Sequence, residues 1–139
     1  MRISIAETDE EILSSYKVLS QLRPHISKDN FLKRVTSLVE NCGYKLALLD
    51  DSGIKAAVGY RISDWLHTGK YLEIEDLVTS VEQRSCGYGS KLFDWTLEQA
   101  KTQGCNQVRL VSGVHREAAH KFYVEKGMVW EAKYFSINL

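Results

Sequence analysis

Two glycines, Gly87 and Gly89, come immediately before a stretch whose apolar residues recur with the spacing of a helix. In that stretch Leu92, Phe93 and Leu97 share one helical face, so the glycines are expected at the helix entrance. Glycine allows positive φ angles and close approach of a ligand, and the first N–H groups of a helix have no intrahelical partners. This combination is typical of a phosphate site, although glycines needed only for a turn would give the same pattern.

Two carboxylates, Glu73 and Glu75, precede this loop. Residues 71–78 alternate as a strand does, which places both glutamates on one face. Leu72 and Ile74 then point to the other face. A carboxylate in such a position is able to remove a proton from an amine, directly or through water. An ordinary solvated strand face has the same alternation, so the pattern alone leaves both interpretations open.

Length, charge and cysteine content narrow the class of protein. The 139 residues suit one domain spanning 1–139. With 18 basic and 18 acidic residues the formal net charge is zero, which argues against nucleic acid or an anionic membrane as a partner. The start lacks the apolar run of a signal peptide, and no stretch approaches the ~20 apolar residues of a membrane helix. Cys42, Cys86 and Cys105 lack metal-ligand spacing. We therefore expect free thiols in a soluble cytoplasmic protein without a bound metal.

The periodicities predict elements in the order β α α β β β α β α β. Thr8 and Glu11 form a capping box at the start of the first helix, which should end before Pro24. Helices before and after long strands imply a single-domain α/β fold, in which a mixed central sheet is covered on both faces. The other predicted helices are 27–43, 92–101 and 116–126. The predicted strands are 2–5, 44–49, 55–62, 71–78, 107–111 and 129–137, and the pattern of the last one allows an interruption.

The stretch RSCGYG matches R/Q-x-x-G-x-G/A, the pyrophosphate loop of the GNAT superfamily of acetyl-CoA-dependent N-acetyltransferases. The dinucleotide fingerprint would need glycine at position 92, and the nucleotide-triphosphate loop is absent. EIEDLVTS resembles the central strand of the GNAT family, and HREAAHKFYVEKGM resembles its final helix. The resemblance covers essentially the full length in the family's element order. The sequence departs from the family pattern at Ser85, Cys86, Arg116 and Met128.

This resemblance implies acetyl-CoA as cosubstrate and direct attack of a primary amine on its thioester. It places the pantetheine arm between the central strand and residues 107–111, paired like an added strand with main-chain groups of Leu77, Val78 and Thr79. The same main-chain groups would stabilise the oxyanion, for which one backbone donor is worth about 3 kcal/mol. The remaining cofactor-binding residues implied are Arg84, Ser85, Cys86, Gly87, Tyr88, Gly89, Ser90, Ser112 and Arg116.

The resemblance also implies proton-transfer roles. An alkyl amine with a pKa of ~10.4 is protonated at neutral pH, and freeing it costs on the order of 4–5 kcal/mol. Histone-type members carry their glutamate at the position of Glu73, and sugar-phosphate-type members carry theirs at Glu75. We favour Glu75 slightly as the base, because it lies nearer the expected thioester. Tyr123 occupies the position of the family's general acid and would donate a proton to the leaving thiolate.

The acceptor is the least determined part of the prediction. In the family the first two helices wall the acceptor site, which points to Arg23 and His25 between them. Trp65 and His67 would line the same site from the opposite loop. Small amines, a protein lysine and a protein N-terminus all remain open as acceptors. The alternative to an enzyme is a non-catalytic acyl-CoA-binding or sensing module, and a homodimer remains open because many family members form dimers.

Overall fold

A computed structural model describes every residue from Met1 to Leu139 and forms an α/β fold around a five-stranded mixed sheet. The strands follow chain order across the sheet, β1-β2-β3-β4-β5, and the predicted fold class is confirmed. The elements are β1 (Arg2–Ile5), α1 (Asp9–Ser14), α2 (Tyr16–Leu22), α3 (Lys28–Asn41), β2 (Lys45–Asp50), β3 (Ile54–Trp65), β4 (Gly69–Thr79), a short 3-10 turn (Val81–Gln83), α4 (Tyr88–Thr102), β5 (Gln107–Leu110) and α5 (Glu117–Glu125).

The chain divides into two compact units, Met1–Arg109 and Leu110–Leu139. The first contains the sheet up to Arg109 and helices α1 to α4, and the second contains the last residue of β5 and helix α5. The single domain predicted over 1–139 stays a prediction. No helix combines the length and the apolar character needed to cross a membrane.

The register of the sheet places an extra residue in the middle of β4. Strands β1 to β4 are antiparallel neighbours, and Asp76 pairs with Gly59 while Ile74 pairs with Tyr60. Glu75 is therefore the inserted residue of a β-bulge, a device that redirects side chains next to functional sites. Strand β5 runs parallel to β4, because its contacts with β4 advance in the same direction along both strands: residue 106 bonds to residue 70, and residue 109 to residue 73.

Helices cover both faces of the sheet. On one face α1, α2 and α3 pack around a buried cluster that includes Leu46, Ala57 and Val78. On the other face Trp95 of α4 meets Tyr60 of β3 edge to face, with ring centroids 6.4 Å apart. Each fully buried leucine side chain contributes about 1.5–3 kcal/mol relative to an exposed one. This core holds β3 and β4, which carry most of the candidate site.

The first predicted helix is two helices, α1 and α2, with a break at Ser15. The capping box is present, since the Glu11 N–H donates to Thr8 Oγ1 at 3.1 Å and the Thr8 N–H donates to Glu11 Oε1 at 3.1 Å. At the break, the fully buried Ser15 hydroxyl donates to the Ile12 carbonyl at 2.6 Å. A serine that bonds to the preceding turn offers the backbone an alternative to a continuous helix. The apolar periodicity continues through this junction and so does not reveal it.

The strand predicted over 129–137 is absent. Gly127 follows α5 with a φ of +96°, and its N–H donates to the Val124 carbonyl at 3.0 Å. Residues 128–139 then contain no helix or strand. Their alternating pattern favours a strand, but a strand forms only when its N–H and C=O groups pair with a neighbour. Periodicity does not supply that neighbour.

Candidate active site

The end of β4 offers backbone groups without a strand beside them. On its inner side β4 pairs with β3, through Val58 with Leu77 and Ala57 with Val78. On its outer side β5 ends at Leu110, shortly after the contact between Arg109 and Glu73, whereas β4 continues to Thr79. The outer N–H and C=O groups of residues 77–79 therefore face no strand. An extended ligand can pair with such an edge, which is the position predicted for the pantetheine arm.

The loop between β4 and α4 has the backbone geometry of an anion site. Ser85 has a φ of +69° and Gly87 a φ of +82°. Gly87 is the N-cap of α4 and supplies no side-chain hydrogen bond to the first N–H groups of the helix. Residues of alternating hand turn successive N–H groups into a concave surface that binds anions, and the helix dipole adds to this attraction. The predicted phosphate loop thus has the expected form, with Ser85 in a conformation that favours glycine.

Contacts on either side fix this loop beside β4. A Cβ at Gly89 would lie 3.0 Å from Thr79 Oγ1, so glycine allows α4 to begin directly against the end of the strand. The Tyr88 hydroxyl donates to Asp51 Oδ2 at 2.7 Å, which ties the helix start to the turn between β2 and β3. That hydrogen bond raises the pKa of Tyr88. The loop and the open edge of β4 are therefore adjacent, as a ligand with both a phosphate and an extended arm would require.

The two candidate bases differ in how their oxygens are engaged. Arg61 donates to both oxygens of Glu75, from Nε at 2.7 Å and from Nη2 at 3.2 Å. Arg109 donates only to Oε1 of Glu73, from Nε at 2.6 Å. The second oxygen of Glu73 has no partner within the chain. Both glutamates are thus held in place by arginines, and only Glu73 keeps a carboxylate oxygen that accepts no hydrogen bond.

The arginine beside Glu73 itself lies against two aromatic rings. The Arg109 guanidinium lies 4.4 Å from the ring centroid of Trp65 and 5.0 Å from that of Tyr71. Trp65 in turn meets His67 edge to face, with centroids 5.4 Å apart. Cation–π stacking of this kind is worth about 0.5–2 kcal/mol. The structure therefore places Trp65 against the arginine that orients Glu73, and His67 against Trp65.

The sequence analysis missed Arg61, Tyr71 and Arg109. Their importance comes from contacts across strands, because Arg61 lies opposite Glu73 in the register of β3 with β4. Strands over 55–62 and 71–78 were both predicted, and an antiparallel register between them would have brought Arg61 beside the glutamates. Arg109 required the parallel placement of β5, which periodicity alone does not give.

A cleft of about 310 Å³ opens between α2, α3 and the sheet, and both Arg23 and His25 line it as predicted. Trp65 and His67 do not line this cleft, so the four predicted acceptor residues fall into two groups. The other residues that line the cleft are Tyr16, Leu19, Ser20, Ile26, Phe31, Arg34, Val35, Leu38, Tyr44 and Asp76. The cleft thus combines apolar walls with two guanidinium groups and one carboxylate.

Asp76 forms a polar cluster in this cleft with Arg23 and Tyr44. Arg23 Nε donates to Asp76 Oδ1 at 2.9 Å, and the Tyr44 hydroxyl donates to Oδ2 at 2.7 Å. Arg23 Nη2 also donates to the carbonyl of the bulged residue Glu75 at 3.0 Å. Burial, followed by the Asp76 charge, raises the pKa of Tyr44 well above its usual value. A Cβ at Gly59 would lie 1.7 Å from the Tyr44 hydroxyl, so only glycine leaves room for this cluster.

The second unit contains the remaining predicted residues. Arg116 is the N-cap of α5, and Tyr123 lies on that helix with its ring edge to face with Phe122 at 5.6 Å. Burial raises the pKa of Tyr123, an effect that Arg116 opposes. Its phenol therefore stays protonated at neutral pH and is able to donate a proton. The Ser112 hydroxyl is buried without a hydrogen-bond partner. Such a group is commonly satisfied by a ligand or water, which fits its predicted role in cofactor binding.

Comparisons with known proteins all identify the same family. The model of the acetyltransferase (GNAT) family matches residues 7–128. The chain is 37% identical over 118 residues to the uncharacterized N-acetyltransferase YhdJ of Bacillus subtilis, an alignment that covers 84% of this chain and 83% of that protein. It is 27% identical over 126 residues to the aminoalkylphosphonate N-acetyltransferase of Salmonella typhimurium, covering 86% and 80%.

A solved structure shares the fold. The putative acetyltransferase from Agrobacterium tumefaciens matches with a TM-score of 0.85 and 21% identity over the full length of both chains. At that identity the likeness concerns the fold alone. The matched region includes residues 128–139, where this chain has no strand.

Proposed function

Since the chain belongs to the acetyltransferase (GNAT) family and is an acetyl-CoA-dependent N-acetyltransferase, we propose that its acceptor is a small molecule that carries both a primary amine and an anionic group. The observation that carries this proposal is the excess positive charge of the cleft between α2, α3 and the sheet. Arg23 and Arg34 face a single carboxylate there, Asp76.

The free donors of the cleft are guanidinium N–H groups. Arg23 uses Nε for Asp76 and Nη2 for a backbone carbonyl, which leaves other N–H groups of its five unengaged. Arg34 makes no hydrogen bond or ion pair within the chain. Guanidinium groups bind phosphonate, phosphate and carboxylate through paired hydrogen bonds. Apolar walls that include Leu19 and Phe31 suit a short alkyl linker.

The Salmonella relative supports the same class of acceptor. Its name describes N-acetylation of an aminoalkylphosphonate, in which one molecule combines an amine with an anion. A protein lysine lacks that anionic group near its amine, so the cleft favours a small acceptor over a protein.

The residues that hold acetyl-CoA are proposed from the loop and the edge of β4. The N–H groups around Gly87 would bind the pyrophosphate, and residues 77–79 would pair with the pantetheine arm. The family resemblance adds Ser112, whose hydroxyl is buried without a hydrogen-bond partner, and Arg116 as further proposed ligands. When bound, acetyl-CoA supplies an activated acyl carbon and a thiolate leaving group. A main-chain N–H of residues 77–79 would stabilise negative charge on the acyl oxygen by about 3 kcal/mol.

The proton transfers are proposed for Glu73 and Tyr123. The acceptor nitrogen must lose a proton before it forms the new C–N bond, at a cost on the order of 4–5 kcal/mol near neutral pH. Glu73 has the free oxygen for this step, whereas both oxygens of Glu75 accept from Arg61. The geometry thus favours Glu73 over Glu75, the residue that the sequence slightly favoured. As the C–S bond breaks, the protonated phenol of Tyr123 would give its proton to the thiolate.

Release of free thiol from acetyl-CoA tests the acceptor class directly. The panel contains 2-aminoethylphosphonate, β-alanine, the neutral propylamine, spermidine and a lysine peptide. We expect kcat/KM to be at least about 10-fold higher for an anionic amine than for propylamine, because one desolvated charged hydrogen bond is worth about 1.5–3 kcal/mol. Turnover of spermidine or the peptide alone would contradict the acceptor class. Binding of acetyl-CoA without turnover of any amine in the panel would likewise contradict the acceptor class, and it would leave an acceptor outside the panel or a sensing module.

Charge removal in the cleft provides a matched control. Arg34→Gln should raise KM for the anionic amine about 10-fold and leave the kinetics of propylamine unchanged. Lys33→Gln removes the same charge from the preceding position of α3, where the side chain is exposed like that of Arg34 but does not line the cleft. It should change KM less than about twofold, because a charge that does not contact the acceptor is screened by solvent. Equal effects of the two variants would show that the cleft does not bind the anion.

A further inference from the structure

The β-bulge at Glu75 lies between two parts of the proposed site, the base Glu73 and the open edge at residues 77–79. Between these two parts, β4 contains one residue more than the paired stretch of β3. A strand residue whose register shifts by one position turns to the opposite face of the sheet. The place of the extra residue therefore sets where the Glu73 carboxylate lies relative to the edge at residues 77–79.

One side chain from outside the sheet holds this bulge. Arg23 Nη2 donates to the carbonyl of Glu75 at 3.0 Å, and Arg23 Nε donates to Asp76 Oδ1 at 2.9 Å. A single guanidinium thus contacts the inserted residue and the residue that follows it. Because a guanidinium is a rigid planar fork, its two hydrogen bonds fix the carbonyl and the carboxylate relative to each other.

Both ends of this contact are anchored. Arg23 is the C-cap of α2, and its backbone N–H donates to the Leu19 carbonyl at 2.9 Å. Asp76 accepts a second hydrogen bond, at 2.7 Å, from the hydroxyl of the buried Tyr44. Glu75 itself has no partner in the register of β3 with β4, and the inserted residue of a bulge interrupts the ladder locally. Helix α2 and the core therefore hold a position that the ladder does not.

We propose that Arg23 is a positioning residue, which holds the bulge at Glu75 and thereby fixes Glu73 relative to residues 77–79. This inference rests on the proposed roles of Glu73 and of that edge. It differs from anion binding by Arg23, because the bulge uses Nε and one N–H of Nη2, whereas an anion would use the remaining N–H groups. A role in positioning affects the turnover of every amine, whereas a role in anion binding affects only anionic amines.

Arg23→Lys separates the two roles, because it keeps the charge in the cleft and removes the planar fork. We expect kcat to fall about 10–100-fold for 2-aminoethylphosphonate and propylamine alike, since a misplacement of about 1 Å costs about 10²-fold in rate. The Kd of acetyl-CoA should stay within about twofold of wild type, because residues 77–79 keep their pairing with β3. Each kcat is divided by the number of acetyl-CoA sites found by calorimetry, so that unfolded protein does not count.

The matched control is Arg2→Lys, the same change at an exposed position of β1, which should keep the wild-type kcat. A wild-type kcat in Arg23→Lys would overturn the proposal. A loss confined to 2-aminoethylphosphonate would also overturn it, because Arg23 would then only bind the anion. So would a loss that disappears on division by the number of sites, because Arg23 would then only stabilise the fold.

A double-mutant cycle tests whether Arg23 acts through Glu73. Glu73→Gln should lower kcat by a smaller factor in the Arg23→Lys background than in wild type, because the base is already displaced there. Equal factors in the two backgrounds would overturn the proposal.

Hydrogen exchange tests the bulge without any amine present. Amides of residues 74–77 should exchange at least about 10-fold faster in Arg23→Lys than in wild type, whereas those of residues 46–49 in β2 should not change. Unchanged exchange at residues 74–77 would overturn the role of Arg23 at the bulge. Faster exchange there, in a protein whose wild type acetylates no amine of the panel, would support that role and contradict the proposed function alone.

Discussion

Replacing Glu73 with glutamine should reduce kcat by about 10²–10⁴-fold, the usual contribution of a positioned general base. At 1.36 kcal/mol for each factor of ten, this corresponds to about 2.7–5.4 kcal/mol of lost transition-state stabilisation. The introduced amide would keep an oxygen for the 2.6 Å hydrogen bond from Arg109, so the local structure should persist. An amide has no carboxylate oxygen to accept the amine proton, so the loss is expected in kcat with little change in KM.

The matched control is Glu75→Gln. Glu75 accepts from Arg61 through both oxygens, and these side chains are 25% and 36% exposed. Weakening a partly exposed ion pair of this kind costs about 0–1 kcal/mol of stability. We therefore expect kcat of Glu75→Gln to fall less than about 10-fold.

The pH dependence of kcat shows whether the Glu73→Gln variant has lost the deprotonation of the amine. An acceptor amine with a pKa of ~10.4 loses its own proton as the pH rises. The rate of Glu73→Gln should therefore increase about 10-fold per pH unit between about pH 7 and 10 and approach the wild-type rate. Burial raises the pKa of Tyr123, so the proposed acid stays protonated over this range. A wild-type rate for Glu73→Gln, or the larger loss in Glu75→Gln, would refute the assignment of Glu73 as base.

Three further predictions concern the structure around the site. Gly59→Ala should destabilise the fold by about 3–5 kcal/mol in urea unfolding, because the new Cβ would lie 1.7 Å from the Tyr44 hydroxyl and break its 2.7 Å bond to Asp76. In a Tyr44→Ala background the same change should cost little, and an equal cost would point to another cause. Ser85→Gly should stabilise the protein by about 0.5 kcal/mol in thermal unfolding, since it relieves a φ of +69° at some cost in chain entropy; a lower Tm would contradict this. Because the folded-state pKa of Tyr44 is raised, its stabilising contribution is present below about pH 10 and lost as the pH rises further. Unfolding free energies between about pH 9 and 11 should therefore fall more steeply for wild type than for Tyr44→Phe.

The sequence alone was sufficient to predict the features that depend on residues close together in the chain. The capping box at Thr8, the α4 helix behind Gly87 and the final helix with Tyr123 all rest on local spacing, and the structure contains each of them. The loop that we propose binds the pyrophosphate is local in the same way, because its backbone conformation and the helix that follows are contiguous in the chain.

Features that depend on distant residues could not be predicted. The partners of Glu73 and Asp76 are Arg109, Arg23 and Tyr44, separated from them in sequence by 36, 53 and 32 residues. Their contacts follow from strand register and from the bulge at Glu75, neither of which periodicity specifies. The incorrect strand over 129–137 has a related cause, since a strand pattern does not identify the edge with which it pairs.

The most direct test is calorimetric titration of acetyl-CoA into wild type, Gly87→Val and Gly43→Val. Both glycines have positive φ, +82° and +71°, with nothing within 4 Å of an added Cβ, so valine causes similar backbone strain at each. Only Gly87 lies in the proposed pyrophosphate loop. We predict one binding site per chain, with Kd raised at least about 10-fold by Gly87→Val and nearly unchanged by Gly43→Val. Absence of binding to wild type, or equal affinities in the two variants, would contradict the site described.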